Sequence, residues 1–177
     1  MHVSFRVKQV YWLFPGHSFK LNTDGSSRGN PGEAAGGGIL RDGQGSTIFV
    51  FSDYFGTKTS LQAEALALLL GILICKALHI QDVQIECDSA TLINLVTGKT
   101  KVLWRLHGVF KRIDRCRQLV ASYSHCYREA NRVADALANL GQQSHNFLFS
   151  QSGSKIPNNI KSLIHQDLIG LCNLRFY

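Results

Sequence analysis

Four acidic residues lie where an apolar segment begins or ends, a placement that suits a reaction centre better than a solvated surface. Asp24 ends one alternating segment and Asp88 ends another, in ECDSA. Glu64 begins an apolar run in QAEALAL, and Asp135 lies in NRVADALA. Taken singly, each has a structural explanation, because Asp88 can help Ser89 cap a helix and acids favour helix N-termini. Taken together, they predict a catalytic site.

Carboxylates that converge without cations repel one another and raise one another's pKa. Hard divalent cations relieve this repulsion because they prefer oxygen ligands, and Mg²⁺ also keeps several waters and shares phosphate oxygens. Two such ions about 4 Å apart can hold both the attacking water and the leaving oxygen of a phosphodiester. The acids therefore predict a phosphodiester hydrolase with two divalent cations, Mg²⁺ or Mn²⁺.

Convergence of these acids requires a sheet that brings distant segments together. Alternating hydrophobicity predicts five strands, at 19–24, 34–42, 46–55, 83–88 and 121–128, and helical spacing predicts four helices, at 59–79, 90–96, 102–120 and 130–141. Thr59 and Gln62 have the spacing of a capping box at the start of the first helix. Gly141 is expected to end the last helix.

The order βββαβααβα predicts an α/β fold. Three antiparallel strands come first, and two further strands reach the sheet through helical crossovers and lie parallel to the first strand. If the first and fourth strands are neighbours, Asp24 and Asp88 emerge at the same edge of the sheet. A helix N-terminal turn on each face can then bring Glu64 and Asp135 to that point.

The first two strands are joined by the glycine-rich segment NTDGSSRGNPG, Asn22 to Gly32. Asp-Gly, Gly-Asn and Pro-Gly are ordinary turn chemistry, so the segment predicts a hairpin. Its small residues also leave room for a sugar-phosphate backbone beside the first acid. Candidate nucleic-acid contacts in this segment are Gly25, Ser26 and Arg28.

The motifs together resemble the ribonuclease H type-1 family, and most closely its plant reverse-transcriptase-like branch. The resemblance covers about Ser18 to Gly141 and is carried by NTDGSSRGNPG, AGGGILRD, QAEALAL, ECDSATLI and REANRVADALA, in that order. It implies a ribonuclease H-like fold with a five-stranded mixed sheet, in the order 3-2-1-4-5, flanked by helices. It also implies endonucleolytic cleavage of the RNA strand of RNA–DNA hybrids.

The resemblance assigns roles to the acids and to some substrate contacts. Asp24 would bridge both ions, Glu64 and Asp88 would bind one of them, and Asp135 would bind the other. Asn30 would approach the RNA minor groove, where 2′-hydroxyls mark RNA. Thr59 would hold a DNA-strand phosphate, and Ser60 could form a hydrogen bond beside it.

This chain departs from the family pattern at several positions. Two positions before Ala63-Glu64 usually carry amides that read the backbone, but Leu61 has no polar group and Gln62 lies one position later. The histidine-bearing loop of bacterial members is replaced by the short segment CYREAN. Arg128 is the preferred substitute for that catalytic histidine, whereas His125 is expected to be buried and structural.

Composition places the protein among basic globular proteins. The net charge of +7 and the pI near 9.3 favour polyanionic partners such as nucleic acid. Five widely spaced cysteines without a Cys-x-x-Cys pair indicate a reducing compartment. The longest apolar run, 65–75, is too short for a membrane span and predicts a buried core helix. We expect an intracellular monomer, in the cytoplasm, the nucleus or an organelle, that is not secreted and binds no membrane or small-molecule cofactor.

Three parts are expected along the chain: an N-terminal extension over 1–17, a ribonuclease H-like domain over 18–141, and a C-terminal segment over 142–177. The polar, Ser-rich stretch 142–155 is typical of a linker. Pro157 can open an amphipathic helix, with an apolar stripe from Ile160 to Leu171.

Two main function hypotheses follow. Retention of all four acids favours a hybrid ribonuclease, because a binding module needs none of them. The alternative is a catalytically weak or inactive, retroelement-derived nucleic-acid-binding domain, which the substitutions at Leu61 and Gln62 favour. A protein-interaction role for the stripe from Ile160 to Leu171 has no chemical support.

Overall fold

A mixed β-sheet forms the centre of the computed structural model, which describes residues 6–177. The strands are β1 (Val7–Val10), β2 (Phe19–Gly29), β3 (Gly32–Arg41), β4 (Thr47–Lys58), β5 (Val83–Cys87), β6 (Val120–His125), β7 (Leu148–Gln151) and β8 (Asn173–Phe176). The helices are α1 (Ser60–Ala77), α2 (Ala90–Val96), α3 (His107–Asp114), α4 (Arg132–Ser144) and α5 (Asn158–Leu168).

The sheet has six strands in the order β6-β5-β2-β3-β4-β7. The antiparallel meander β2-β3-β4 and the parallel pairs β2-β5 and β5-β6 confirm the predicted topology. The expected sheet of five strands was one strand short, because β7 pairs antiparallel with β4 along the outer edge. A four-residue edge strand carries little sequence signal, and it is stabilised here by pairing with a distant partner.

Helices cover both faces of the sheet. On one face α1 packs with α2 and α3 around a core that includes Leu21 and Phe51. On the other face α4 and α5 pack around Ile39 and Val50. By length and composition α1 could span a membrane, but its apolar residues, Leu68 among them, lie in the first core, which confirms the prediction of a buried core helix.

Several predicted boundaries were wrong. The last helix does not end at Gly141 but continues to Ser144, where His145 adopts the left-handed conformation of a C-cap. The stretch 142–155, predicted as a linker, contains the end of α4 and all of β7. The helix expected over 102–120 is confined to α3, with a short 3-10 helix on each side. The helix after Pro157 is confirmed as α5.

The terminal segments, expected to be extensions, are fixed to the sheet by a buried polar network. The Arg41 guanidinium donates to Asp167 Oδ2 at 2.8 Å and to Asn22 Oδ1 at 3.0 Å. It also lies 3.7 Å from the ring centroid of Trp12, whose indole N–H donates to the same Asn22 oxygen at 2.9 Å. The network therefore ties the N-terminal segment and α5 to β2 and β3. Residues 1–5 of the expected N-terminal extension lie outside the described residues.

Burial shifts the pKa of both members of this ion pair. It raises the pKa of Asp167 and lowers the pKa of Arg41, although each partner opposes the shift of the other. Desolvation therefore outweighs the attraction between the two charges. A pair of this kind adds little net stability but is costly to break, because the remaining charge is buried without its partner.

We expect Asp167→Ala to lower the free energy of unfolding by about 3–5 kcal/mol, because it leaves the Arg41 charge buried and uncompensated. Urea denaturation measures the change. The matched control is Asp114→Ala, which breaks the exposed pair with Arg117 at 3.8 Å and should cost less than about 1 kcal/mol. Equal losses in the two variants would contradict the structural role of the network.

Candidate active site

Two of the four predicted acids are brought together by the parallel pairing of β2 and β5. The register pairs Asn22 with Glu86, and Asp24 and Asp88 each lie two residues further along. Asp24 is in β2, and Asp88 directly follows β5. The predicted end of the first strand at Asp24 was wrong, because β2 continues to Gly29 and only Asn30 and Pro31 form the turn to β3. Since β5 ends at Cys87, the two carboxylates still lie side by side just beyond the parallel pairing, as expected.

The third acid, Glu64, reaches this point because α1 approaches β2 closely. A Cβ atom on Gly25 would lie 2.2 Å from the backbone nitrogen of Glu64, so only glycine allows this contact. The start of α1 is fixed by the predicted capping box: Thr59 Oγ1 accepts from the Gln62 N–H at 3.2 Å, and Gln62 Oε1 accepts from the Thr59 N–H at 2.9 Å. Capping and close packing together set the position of Glu64.

Carboxylate oxygens of Asp24, Glu64 and Asp88 lie within 4.8 Å of one another. The fourth acid, Asp135, lies in the first turn of α4 and is not part of this cluster of three. Its Oδ1 accepts from Arg128 Nη2 at 2.9 Å, and its Oδ2 accepts from Asn139 Nδ2 at 3.3 Å. The structure thus brings three of the predicted ligands together and pairs the fourth with an arginine at the rim.

The start of α4 is held beside β2 by a residue that the sequence reasoning missed. Asn131 is buried, and its Nδ2 donates to the carbonyl of Thr23 at 3.0 Å. This bond joins the residue before α4 to the residue before Asp24, and so places Asp135 near the cluster. Its sequence signal is an asparagine directly before a helix, a position normally explained by capping.

The electrostatics of the cluster favour a cation. Burial, the neighbouring charges of Asp88 and Asp135, and a hydrogen bond with Asp88 raise the pKa of Asp24 to about 8, which Arg128 opposes. Burial and the charges of Asp24 and Asp88 also raise the pKa of Glu64 well above its usual value. Glu64 Oε2 is buried without a hydrogen-bond partner among the described residues. A buried, crowded, all-oxygen donor set fits a hard divalent cation.

The predicted substrate contacts Asn30, Thr59 and Ser60 meet at the N-terminus of α1. Asn30 Oδ1 accepts from the Ser60 N–H at 3.0 Å, which ties the tip of the β2-β3 hairpin to the helix. The capping box engages only the side-chain oxygen of Gln62, which accepts from the Thr59 N–H. The Thr59 hydroxyl accepts from a backbone N–H in that motif, and a hydroxyl that accepts one bond can still donate its own hydrogen.

The other predicted contacts in the hairpin lie in different environments. Gly25 is buried against α1, and Ser26 Oγ donates to the Oε1 atom of buried Gln142 at 3.2 Å. Arg28 is exposed near the hairpin tip. Contact of all three with nucleic acid stays a prediction.

The segment between β6 and α4 contains the predicted substitute for a catalytic histidine. The Arg128 side chain is 72% exposed, and its ion pair with Asp135 places it beside the carboxylates. His125 was expected to be buried, which was wrong: it ends β6, is exposed, and its ring centroid lies 6.0 Å from that of Tyr127. A terminal strand residue faces solvent once no helix covers it.

A mixed sheet with five strands in the order β6-β5-β2-β3-β4, helices on both faces, one acid within β2 and another directly after β5 defines the ribonuclease H-like class. Within that class, the chain belongs to the reverse transcriptase-like family, whose family model matches residues 22–141. The resemblance inferred from the sequence is therefore confirmed.

Relatives and solved structures support this assignment. The chain is 34% identical over 174 residues to an Arabidopsis thaliana "Putative ribonuclease H protein", covering 92% of this chain and 26% of that protein. It is 32% identical over 123 residues to ribonuclease HI of Halobacterium salinarum, covering 66% of this chain and 60% of that protein. A crystal structure of LC11-RNase H1 in complex with an RNA/DNA hybrid superimposes with a TM-score of 0.67 at 27% identity, over 71% of this chain and 97% of that one. The chain thus spans about a quarter and three fifths, respectively, of the two curated relatives.

The raised pKa of Asp24 predicts a pH-dependent stability for the metal-free protein. Its folded pKa of about 8 exceeds the ordinary value of 3.8, so the unfolded chain releases this proton first and stability falls as pH rises from about 4 to 8. Asp24→Asn removes this loss. We expect it to raise the metal-free melting temperature by about 3–6 °C at pH 8 and by much less at pH 5.

Differential scanning fluorimetry in EDTA measures this effect, with Asp114→Asn as the control because that side chain is exposed on α3. Mg²⁺ should stabilise the wild type more than the Asp24→Asn variant, because the cation offsets the same repulsion. If Asp24→Asn raised the metal-free melting temperature equally at pH 5 and pH 8, the assignment of crowded carboxylates would be contradicted.

Proposed function

We propose that this protein is a metal-dependent endonuclease that hydrolyses the RNA strand of RNA–DNA hybrids. The observation that carries the proposal is the cluster of buried Asp24 with half-buried Glu64 and Asp88, whose oxygens lie within 4.8 Å of one another. Clustered carboxylates are costly for a module that only binds polyanions, because they repel phosphate. They are useful where the phosphodiester must be hydrolysed.

The acids would hold two divalent cations, Mg²⁺ or Mn²⁺, with Asp135 serving the second. When bound, these ions polarise the phosphoryl oxygens and lower the pKa of the attacking water. The chain's own residues set where this chemistry occurs. Asp24 and Asp88 are fixed by the register of the sheet, and Glu64 is fixed by the packing of α1 on Gly25.

Substrate selection is assigned to the hairpin tip and the start of α1. Asn30 is held by Ser60 and is the candidate for sensing the RNA minor groove, where the 2′-hydroxyl distinguishes RNA from DNA. The Thr59 hydroxyl and the positive end of the α1 dipole suit a backbone phosphate. Arg28 adds a cation beside them. The protein's positive charge favours the same polyanion.

One observation favours the second candidate, a nucleic-acid-binding domain with weak or no cleavage. Asp135 is already paired with Arg128 and Asn139, so both of its oxygens are engaged and a cation would compete with the arginine for its charge. Leu61 also has no polar group, whereas members of the resembled family usually carry an amide at this position that reads the nucleic-acid backbone. The two candidates differ in one measurable property, which is turnover.

We expect purified protein with Mg²⁺ or Mn²⁺ to cut an end-labelled RNA–DNA hybrid within its RNA strand, and to leave duplex RNA and duplex DNA intact. Asp24→Asn should lower the rate by at least about a hundredfold, because it removes the central carboxylate. Asp114→Asn, on exposed α3, is the matched control and should cut normally. Cleavage that survives Asp24→Asn would exclude this site, and tight binding without cleavage in either metal would favour the second candidate.

We expect Arg128→Ala to slow turnover by about tenfold while changing hybrid affinity by less than about twofold. The guanidinium lies at the carboxylates rather than at the hairpin that would bind substrate. Single-turnover rates and binding by anisotropy separate the two effects, and Arg128→Lys should recover part of the rate. An unchanged turnover rate would reject a catalytic role for this residue.

A further inference from the structure

The two ends of the chain meet in an antiparallel pair of strands, β1 and β8, which we call the terminal ribbon. Its register pairs Val7 with Phe176 and Lys8 with Arg175. Because side chains alternate along a strand, Lys8 and Arg175 share one face and Val7 and Phe176 share the other. The ribbon lies outside residues 22–141, which the family model matches, and the proposed reaction gives it no role.

The charged face of the ribbon contacts the segment that leads into α4. Lys8 Nζ donates to the Tyr127 hydroxyl at 3.1 Å and lies 4.5 Å from the centroid of that ring. The Arg175 guanidinium lies 4.6 Å from the same centroid, and its Nη1 lies 3.2 Å from Glu129 Oε2. The residue after Tyr127 is Arg128, at the rim of the candidate active site. The ribbon therefore contacts residues on both sides of Arg128 in the chain.

An exposed aromatic ring lies beside these cations. Tyr177 is 60% exposed, and the Arg175 guanidinium lies 5.6 Å from its ring centroid. The Tyr177 N–H donates to the carbonyl of Arg6 at 3.0 Å, which adds a third cationic residue at this end of the ribbon. Glu129 offsets one of the three charges through Arg175.

Cations that follow a phosphate backbone, next to rings on which bases stack, are the two components of single-strand binding sites. In a duplex the base faces are stacked inside and cannot reach such rings. The combination of Arg6, Lys8 and Arg175 with the ring of Tyr177 therefore favours an unpaired strand over a duplex.

We propose that the terminal ribbon binds an unpaired nucleic-acid strand that flanks the hybrid at the carboxylates. The flanking position rests on the proposed function, whereas the affinity for an unpaired strand rests on the ribbon's own cations and the Tyr177 ring. The net charge of +7 favours this occupant. A protein partner would instead use the apolar face of Val7, Leu174 and Phe176, and that occupant is an outcome of the test.

The test compares a short blunt RNA–DNA hybrid with the same hybrid carrying a single-stranded extension of about ten nucleotides. Binding of the full chain is measured by fluorescence anisotropy on the Asp24→Asn background, so that the probes stay intact. We expect the extension to tighten binding by about tenfold. The double variant Arg6→Gln/Lys8→Gln, and separately Tyr177→Ala, should abolish this gain.

The matched control is Lys155→Gln/Lys161→Gln, which removes the same charge from exposed lysines before and on α5 and should keep the gain. Equal binding of the two probes, or an equal loss in the ribbon and control variants, would overturn the assignment and leave the apolar face for a protein partner. A free single strand is the third probe. If wild-type protein cuts no hybrid but the single strand binds through the ribbon, the proposed function fails and the ribbon assignment stands.

Discussion

Crowding of carboxylates is the constraint around which this molecule is organised. Asp24, Glu64 and Asp88 are held closer together than isolated carboxylates would remain, and burial together with their mutual repulsion raises the pKa values of Asp24 and Glu64. A domain tolerates such a cluster only where the rest of the fold fixes the chain on every side. The two helices and the sheet edge that surround the cluster provide this restraint.

Close backbone contacts contribute to this restraint, in addition to the side-chain bonds around the cluster. Gly25 lets α1 approach β2 on one face. On the other face Gly37 lets α4 approach, because a Cβ there would lie 2.5 Å from the backbone nitrogen of Ala138. Side chains at these two positions would push one helix, and with it Glu64 or Asp135, away from the sheet edge. Site geometry and helix packing are thus set by the same residues.

The sequence was informative where the determinants are local. The capping box joins Thr59 to Gln62, and the alternation of each strand repeats every two residues. The order of strands and helices, and the place of each acid in it, could therefore be predicted. The terminal segments could not, because Val7 pairs with Phe176 and Arg41 with Asp167, partners far apart in the chain. The pairing of Asp135 with Arg128 was also invisible, since a motif specifies residue types and not which neighbour a carboxylate contacts.

The N-terminal segment is joined to the site through the residues that precede the acids. Lys20 Nζ donates to the Leu13 carbonyl and to Glu86 Oε1, both at 2.7 Å, and Trp12 donates to Asn22. Asn22 and Glu86 lie two residues before Asp24 and Asp88, on paired positions of β2 and β5. The segment therefore holds β2 and β5 together directly before the residues that carry the two carboxylates. Residues outside the family's matched range thus contact the strands that position two of the acids.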